Sequence, residues 1–145
     1  MESARSATSL PARIRDFLTQ ENRFATVATT DPDGAARQAV TWFSVDDDDS
    51  IWLNSRWGRR WPANVQRDPR VSLAVIDLDE PERWVGLRGE VVETVDDVER
   101  ARADIVAMAH RYHPEGPDPD DIAGYLTQPR VMFRVAIHRV HDHLD

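Results

Sequence analysis

The chain has 145 residues, 41% of them hydrophobic, and a formal net charge of −8. That length suffices for one globular domain over 1–145 that buries most of its apolar surface, and the acidic balance excludes general nucleic-acid binding, which needs a basic surface to displace counterions. Cysteine is absent and all 18 basic residues are Arg, which removes disulfides, thiolate zinc sites and Schiff-base lysine chemistry.

No run is long and apolar enough to span a bilayer, and the N-terminus lacks the apolar segment of a secretory leader. A cytoplasmic protein without a membrane partner is expected. Leu10, Ile14, Phe17 and Leu18 recur at helical spacing, which predicts an amphipathic helix over about 10–21 opened by Ser9 or a neighbour. Phe24–Thr29 reads as a strand, Asp31-Pro32-Asp33-Gly34 as a turn, and Ala36–Val45 as the returning strand of a hairpin. The acid run Asp46–Asp49 reads as a solvated turn rather than a cation site.

Ile51–Ser55 is the third predicted strand. It opens into the Arg-rich loop around Trp57-Gly58-Arg59-Arg60, and Pro62 suits the first turn of a short helix over Trp61–Arg67. Against the acidic background, Arg56, Arg59, Arg60, Arg67 and Arg70 form a local basic island. Arg70–Asp77 carries apolar residues on both faces and reads as a strand buried on both sides. Arg83–Val95 is a long strand in which Gly86 and Gly89 mark a bulge or a close approach.

Asp96 with Glu99 resembles a capping box, and Val98, Ala101, Ile105, Met108 and Tyr112 hold a helical period up to Pro114. A short helix over Pro119–Thr127, with Ile122, Tyr125 and Leu126 inward, completes a helical insertion over about 97–127. Arg130–His141 is the closing strand, with Val131, Phe133, Val135 and Ile137 on one face. His110 and His113, one turn apart, and the terminal His141-Asp142-His143, expected to be frayed and solvated, do not make a metal site. The elements describe an α+β protein, mainly β, with a six-stranded antiparallel barrel and helical plugs.

Four stretches in order, FATVATTDPDG, ARQAVTWF, IWLNSRWGRRWPANVQRDPRVSLAV and RWVGLRGEVV, resemble the split barrel of the pyridoxamine 5′-phosphate oxidase-like superfamily. The resemblance covers about residues 24–95. It implies a homodimer with FMN or the deazaflavin coenzyme F-420 in a groove at the dimer interface, and it is strongest to the branch that uses F-420. Arg37 matches an Arg that contacts the flavin phosphate. In the deazaflavin-type loop pattern Gly58, Arg59 and Asn64 match, whereas Trp57 replaces an Arg and Trp61 replaces a Lys; Arg60 stands next to the missing Lys. Asn54 and Ser55 fall at the strand end that contacts phosphate or ribityl oxygens in relatives. Val40 and Trp42 fall on the second strand, where Trp42 matches a frequent aromatic position, and Arg88 on the long strand faces the groove of the second subunit or an intersubunit ion pair.

The resemblance therefore implies an oxidoreductase passing a hydride between F-420 or FMN and a small organic substrate; the alternative is a non-catalytic flavin-, deazaflavin- or haem-binding barrel. For Arg59 and Arg60 the competing reading is surface ion pairing with the many acids. Trp52 is expected in the core, and Trp57 and Trp61 at the site or an interface.

Overall fold

The computed structural model describes residues 8–145. Seven antiparallel strands form one curled sheet in the order β2-β1-β5-β6-β7-β4-β3, a split barrel. They are β1 (Ala25–Thr30), β2 (Ala36–Thr41), β3 (Ser44–Val45), β4 (Ile51–Arg56), β5 (Arg70–Ile76), β6 (Trp84–Val95) and β7 (Arg130–His143). The seventh strand arises because the predicted second strand breaks at Trp42-Phe43 and resumes as the two-residue β3.

Four helices complete the fold: α1 (Ala12–Thr19), α2 (Arg60–Arg67), α3 (Val98–Tyr112) and α4 (Pro119–Tyr125). The inward rows Ala25 and Val27 of β1, Leu73 and Val75 of β5, Val85 and Leu87 of β6, and Val131, Phe133, Val135 and Ile137 of β7 fill the barrel, with Ile14, Phe17 and Leu18 of α1. The outer face of β4 and β7 is covered instead by α3, where Ala101 meets Val95, Met132 and the half-buried Trp52.

Several local expectations need correction. No side chain caps α1, whose N-cap is Pro11. The cap of α3 is Asp97, not Asp96: its carboxylate accepts from the Glu99 and Arg100 amides at 3.2 and 3.3 Å. No residue of α4 is buried, and Leu126 is 52% exposed, because this short helix lies over α3 rather than inside the sheet. Strand β5 is buried on one side only, since Ser72 and Ile76 face outward from an uncovered sheet. The C-terminal histidines are not frayed: β7 pairs with β6 as far as His143, and Trp84 stacks on His141 at 4.9 Å.

The acid run is pinned by bonds to its surroundings. Asp49 accepts from the Leu10 amide and pairs with Arg15, Trp52 Nε1 donates to Asp46, and Arg134 reaches Asp48. Among the described residues no group of three or more His, Asp or Glu is arranged to hold a metal ion, and no helix is long and apolar enough to cross a membrane.

Candidate functional site

The arginine loop joins the end of β4 to the start of α2. Gly58 makes the reversal with φ of +104°, a conformation that side chains with a Cβ rarely adopt, and the Arg59 amide then donates to the Arg56 carbonyl at 3.4 Å. Arg59 is the N-cap of α2 in extended conformation. The helix has no side-chain cap and no acidic residue in its first turn, so its leading N–H groups lack the partners that usually satisfy them.

Arg59 and Arg60 are exposed, and among the described residues neither forms an ion pair, although the chain carries 26 acids to 18 arginines. The two guanidinium groups also serve different neighbourhoods. Arg60 lies on the β1–β2 side, close enough to help lower the Asp31 pKa, whereas Arg59 lies on the side of Tyr125 and Arg130.

On the first side, Arg37 Nε donates to Asp31 Oδ1 at 2.8 Å, and Asn64 Nδ2 donates to the same oxygen at 2.9 Å and to Thr29 Oγ1 at 3.0 Å. The Arg37 bond, then the Asn64 bond, holds the Asp31 carboxyl below the usual range. Asn64 is buried, so it acts as a strut that fixes α2 and Arg37 in one frame. Arg37 keeps its two terminal nitrogens free of protein partners among the described residues.

On the second side, Asn54 is buried and fully committed. Its oxygen accepts from Arg130 Nε at 3.0 Å and Nη2 at 2.8 Å, and its nitrogen donates to the Ala101 carbonyl and to Asp104 Oδ2, both at 2.9 Å. Burial pushes the Asp104 carboxyl up, against the lowering effect of the bond from Asn54. Ser55 alternates to the barrel interior, where its hydroxyl is buried without a hydrogen-bond partner.

Trp61 turns into the core at 4% exposure, its ring 5.4 Å from Phe133, so the expectation of a site or interface role for its side chain is corrected: an apolar ring at a helix's first turn is drawn under the barrel. Trp57 is half-buried, edge-on to Phe133 at 6.0 Å. Trp42 stacks on Tyr112 at 5.0 Å with the planes 15° apart, and His113 meets its edge. Val40, 70% exposed, and Arg88 stand on the outer sheet face, away from the loop on the same chain.

Of the predicted residues, Gly58, Arg59 and Arg60 gather at the loop with Arg37 and Asn64, Asn54 lies in the Arg130 network, Val40 and Arg88 lie on the outer face, Ser55 and Trp61 lie inside the barrel, and Trp42 stacks on Tyr112. Sequence reading missed Asp31, Asp104, Tyr125 and Arg130. Arg130 reads locally as the first residue of a strand, and its partner Asn54 is 76 positions away.

A split barrel with an exposed arginine loop at an uncapped helix defines the structural class. A family model described as pyridoxamine 5′-phosphate oxidase matches residues 10–144, and the chain belongs to that family. Among solved structures it is similar to an F-420 reductase, with 26% identity, 87% of this chain and 94% of that one covered, and a TM-score of 0.74. A conserved hypothetical protein of Mycobacterium tuberculosis shares 28% identity over 99% of this chain and 91% of its own, with a TM-score of 0.66. The haem storage protein HutZ of Vibrio cholerae shares the fold at 20% identity, covering 93% and 95%, with a TM-score of 0.67. A search of curated protein sequences gave no match.

Proposed function

We propose that the protein is an oxidoreductase that transfers a hydride between a flavin-type coenzyme, F-420 as first choice and FMN as second, and a small organic substrate. The observation that carries this reading is the pair Arg59 and Arg60, without acidic partners among the described residues, at the uncapped start of α2. Such a donor set fits a dianionic phosphate: guanidinium groups give charge-assisted bonds, and first-turn amides add dipole-oriented ones. The similarity to an F-420 reductase supports the order of the two coenzymes.

In this reading Arg60, Arg59 and Arg37 hold the phosphate end with the α2 amides, and Asp31 and Asn64 keep Arg37 in place. Asn54 acts at one remove, by fixing Arg130. The Trp42–Tyr112 stack gives a rigid aromatic wall, and Trp57 closes the loop against water. Bound coenzyme supplies the hydride chemistry; the chain's own residues bind, orient and shield it.

The second reading is a non-catalytic ligand-binding barrel, favoured by one observation: the position that carries Lys in similar loops is Trp61, buried in the core. The two part on turnover. Reduced F-420 or FMN bound to the purified protein should be oxidised when a small conjugated acceptor is added, followed by the return of the oxidised absorbance. Binding without oxidation across a panel of acceptors would favour the carrier.

The homodimer belongs to the same proposal. Val40, Thr26, Ala74 and Gly86 form one row of small or apolar residues across the outer face of β2, β1, β5 and β6, with Val40 exposed, Thr26 and Ala74 half-buried and Gly86 under the Trp84 ring. A second copy on this face would bring Arg88 and Val40 to its partner's groove. Sedimentation should therefore give a dimer; a monomer with coenzyme bound would contradict this assignment.

A further inference from the structure

Arg130 is a buried cation, 6% exposed, and it has no ion-pair partner among the described residues. Its guanidinium donates three bonds, two to Asn54 Oδ1 and one from Nη1 to Gln128 Oε1 at 2.8 Å, and lies 5.4 Å over the Tyr125 ring. All these acceptors are neutral. A guanidinium has five N–H donors, so two remain without a protein acceptor among the described residues. A buried charge in this state is costly unless something supplies the opposite charge.

The neighbours make the imbalance larger. Arg56 is the direct cross-strand partner of Arg130 in the β4–β7 ladder, an arrangement in which like charges destabilise a sheet. Arg59 follows Arg56 around the Gly58 reversal and lies close enough to act on both Arg130 and Tyr125. Arg102, which donates to the Gln128 carbonyl at 2.9 Å, has its own carboxylate in Glu99 at 3.5 Å and adds no unpaired charge. Asp104 is close enough to raise the Arg130 pKa but accepts from Asn54 and not from Arg130, and Asp121 of α4 acts on Tyr125 without pairing with any of these arginines. Burial, then Arg59, brings the Arg130 pKa down to about 10, so the group is still a cation at neutral pH.

We propose that Arg56, Arg59 and Arg130 form a second anion site, at the β4–β7 end beside α4, that takes the carboxylate of a small organic ligand. A planar carboxylate matches the two free N–H groups of Arg130 as a bidentate partner and gives three guanidinium groups one shared counter-charge. The Asn54 and Gln128 bonds preset the Arg130 fork, and the Tyr125 ring limits the site to a flat group. Arg59, the N-cap of α2, stands between this site and the phosphate end. Arg56 and Arg130 define the site without any coenzyme, and only its being separate from a phosphate end, with which it shares Arg59, rests on the function proposed above.

Succinate is a suitable carboxylate probe and inorganic phosphate the comparison, each titrated into the purified protein by calorimetry. Succinate should bind in the millimolar range, with affinity reduced about tenfold or more in Arg56→Gln and in Arg130→Gln and unchanged in Arg60→Gln. Arg56 makes no side-chain bond among the described residues, so its variant keeps the test independent of folding. Phosphate should bind in the presence of saturating succinate. The proposal is overturned if succinate gives no heat at tens of millimolar, if both Arg56→Gln and Arg130→Gln bind it like the parent, or if phosphate displaces it fully, which would mean a single site. Succinate binding in a protein that takes neither FMN nor F-420 would sustain this site while removing the coenzyme reading.

Discussion

Replacing Gly89 with alanine should lower the unfolding free energy by about 3 kcal/mol or more, from overpacking and the backbone shift it forces. The residue sits at the register shift between Arg88 and Gly89 where β6 pairs with β7. A Cβ there would lie 2.0 Å from the Ala136 carbonyl oxygen, 2.9 Å from its carbon and 3.2 Å from Ile137 Cα. Every one of these atoms is backbone in the middle of the sheet, so relief requires opening the ladder rather than turning a side chain. Gly86 is the internal control: its nearest atom is on the flexible Trp84 ring, at 3.1 Å, and Gly86→Ala should cost far less. Urea denaturation of the two variants measures the difference. Equal, small losses would show that β6 and β7 are not held as close as described.

The second large effect is expected at Asn54. Leucine there removes the acceptor of two Arg130 donors and the donor to Asp104, in a network whose centre, Asn54 and Arg130, is buried. Unsatisfied buried groups cost about 1–3 kcal/mol each, more when charged, so Asn54→Leu should lose about 3 kcal/mol or more. For a chain of this size that is a fall in Tm of roughly 6–12 °C. Arg130→Met should lose less, because it removes the cation along with its need for a partner. A thermal scan in which Asn54→Leu matches the parent, or in which Arg130→Met is the worse of the two, would contradict the account of this network.

Periodicity showed the long helix and the closing strand well because each has one buried face: Val131, Phe133, Val135 and Ile137 all lie inside, as do Ala101, Ile105 and Met108. The same signal misled at β5, where Ala74 and Ile76 make the outer face look like core, although nothing in the single chain covers it. Two adjacent aspartates left the cap of α3 ambiguous by one position, since only backbone conformation selects Asp97 over Asp96.

Site residues divide along similar lines. The loop from Trp57 to Asn64 could be found because its residues are contiguous and its charge stands out against an acidic chain. What the sequence does not contain is direction: Trp61 and Arg60 are neighbours, yet one turns into the core and the other to solvent. Residues far apart in the chain, such as Asn54, Asp104 and Arg130, meet only through the sheet register and the position of α3. No local pattern marks them.

Binding of a flavin-type coenzyme at the arginine loop is the central claim, and a calorimetric titration with F-420 and with FMN tests it most directly. The parent should bind at least one of them, and Arg59→Ala and Arg60→Ala should each weaken that affinity by about tenfold or more, the effect of one lost charge-assisted bond. A parent that binds neither coenzyme at millimolar concentration, or variants with unchanged affinity, would contradict it.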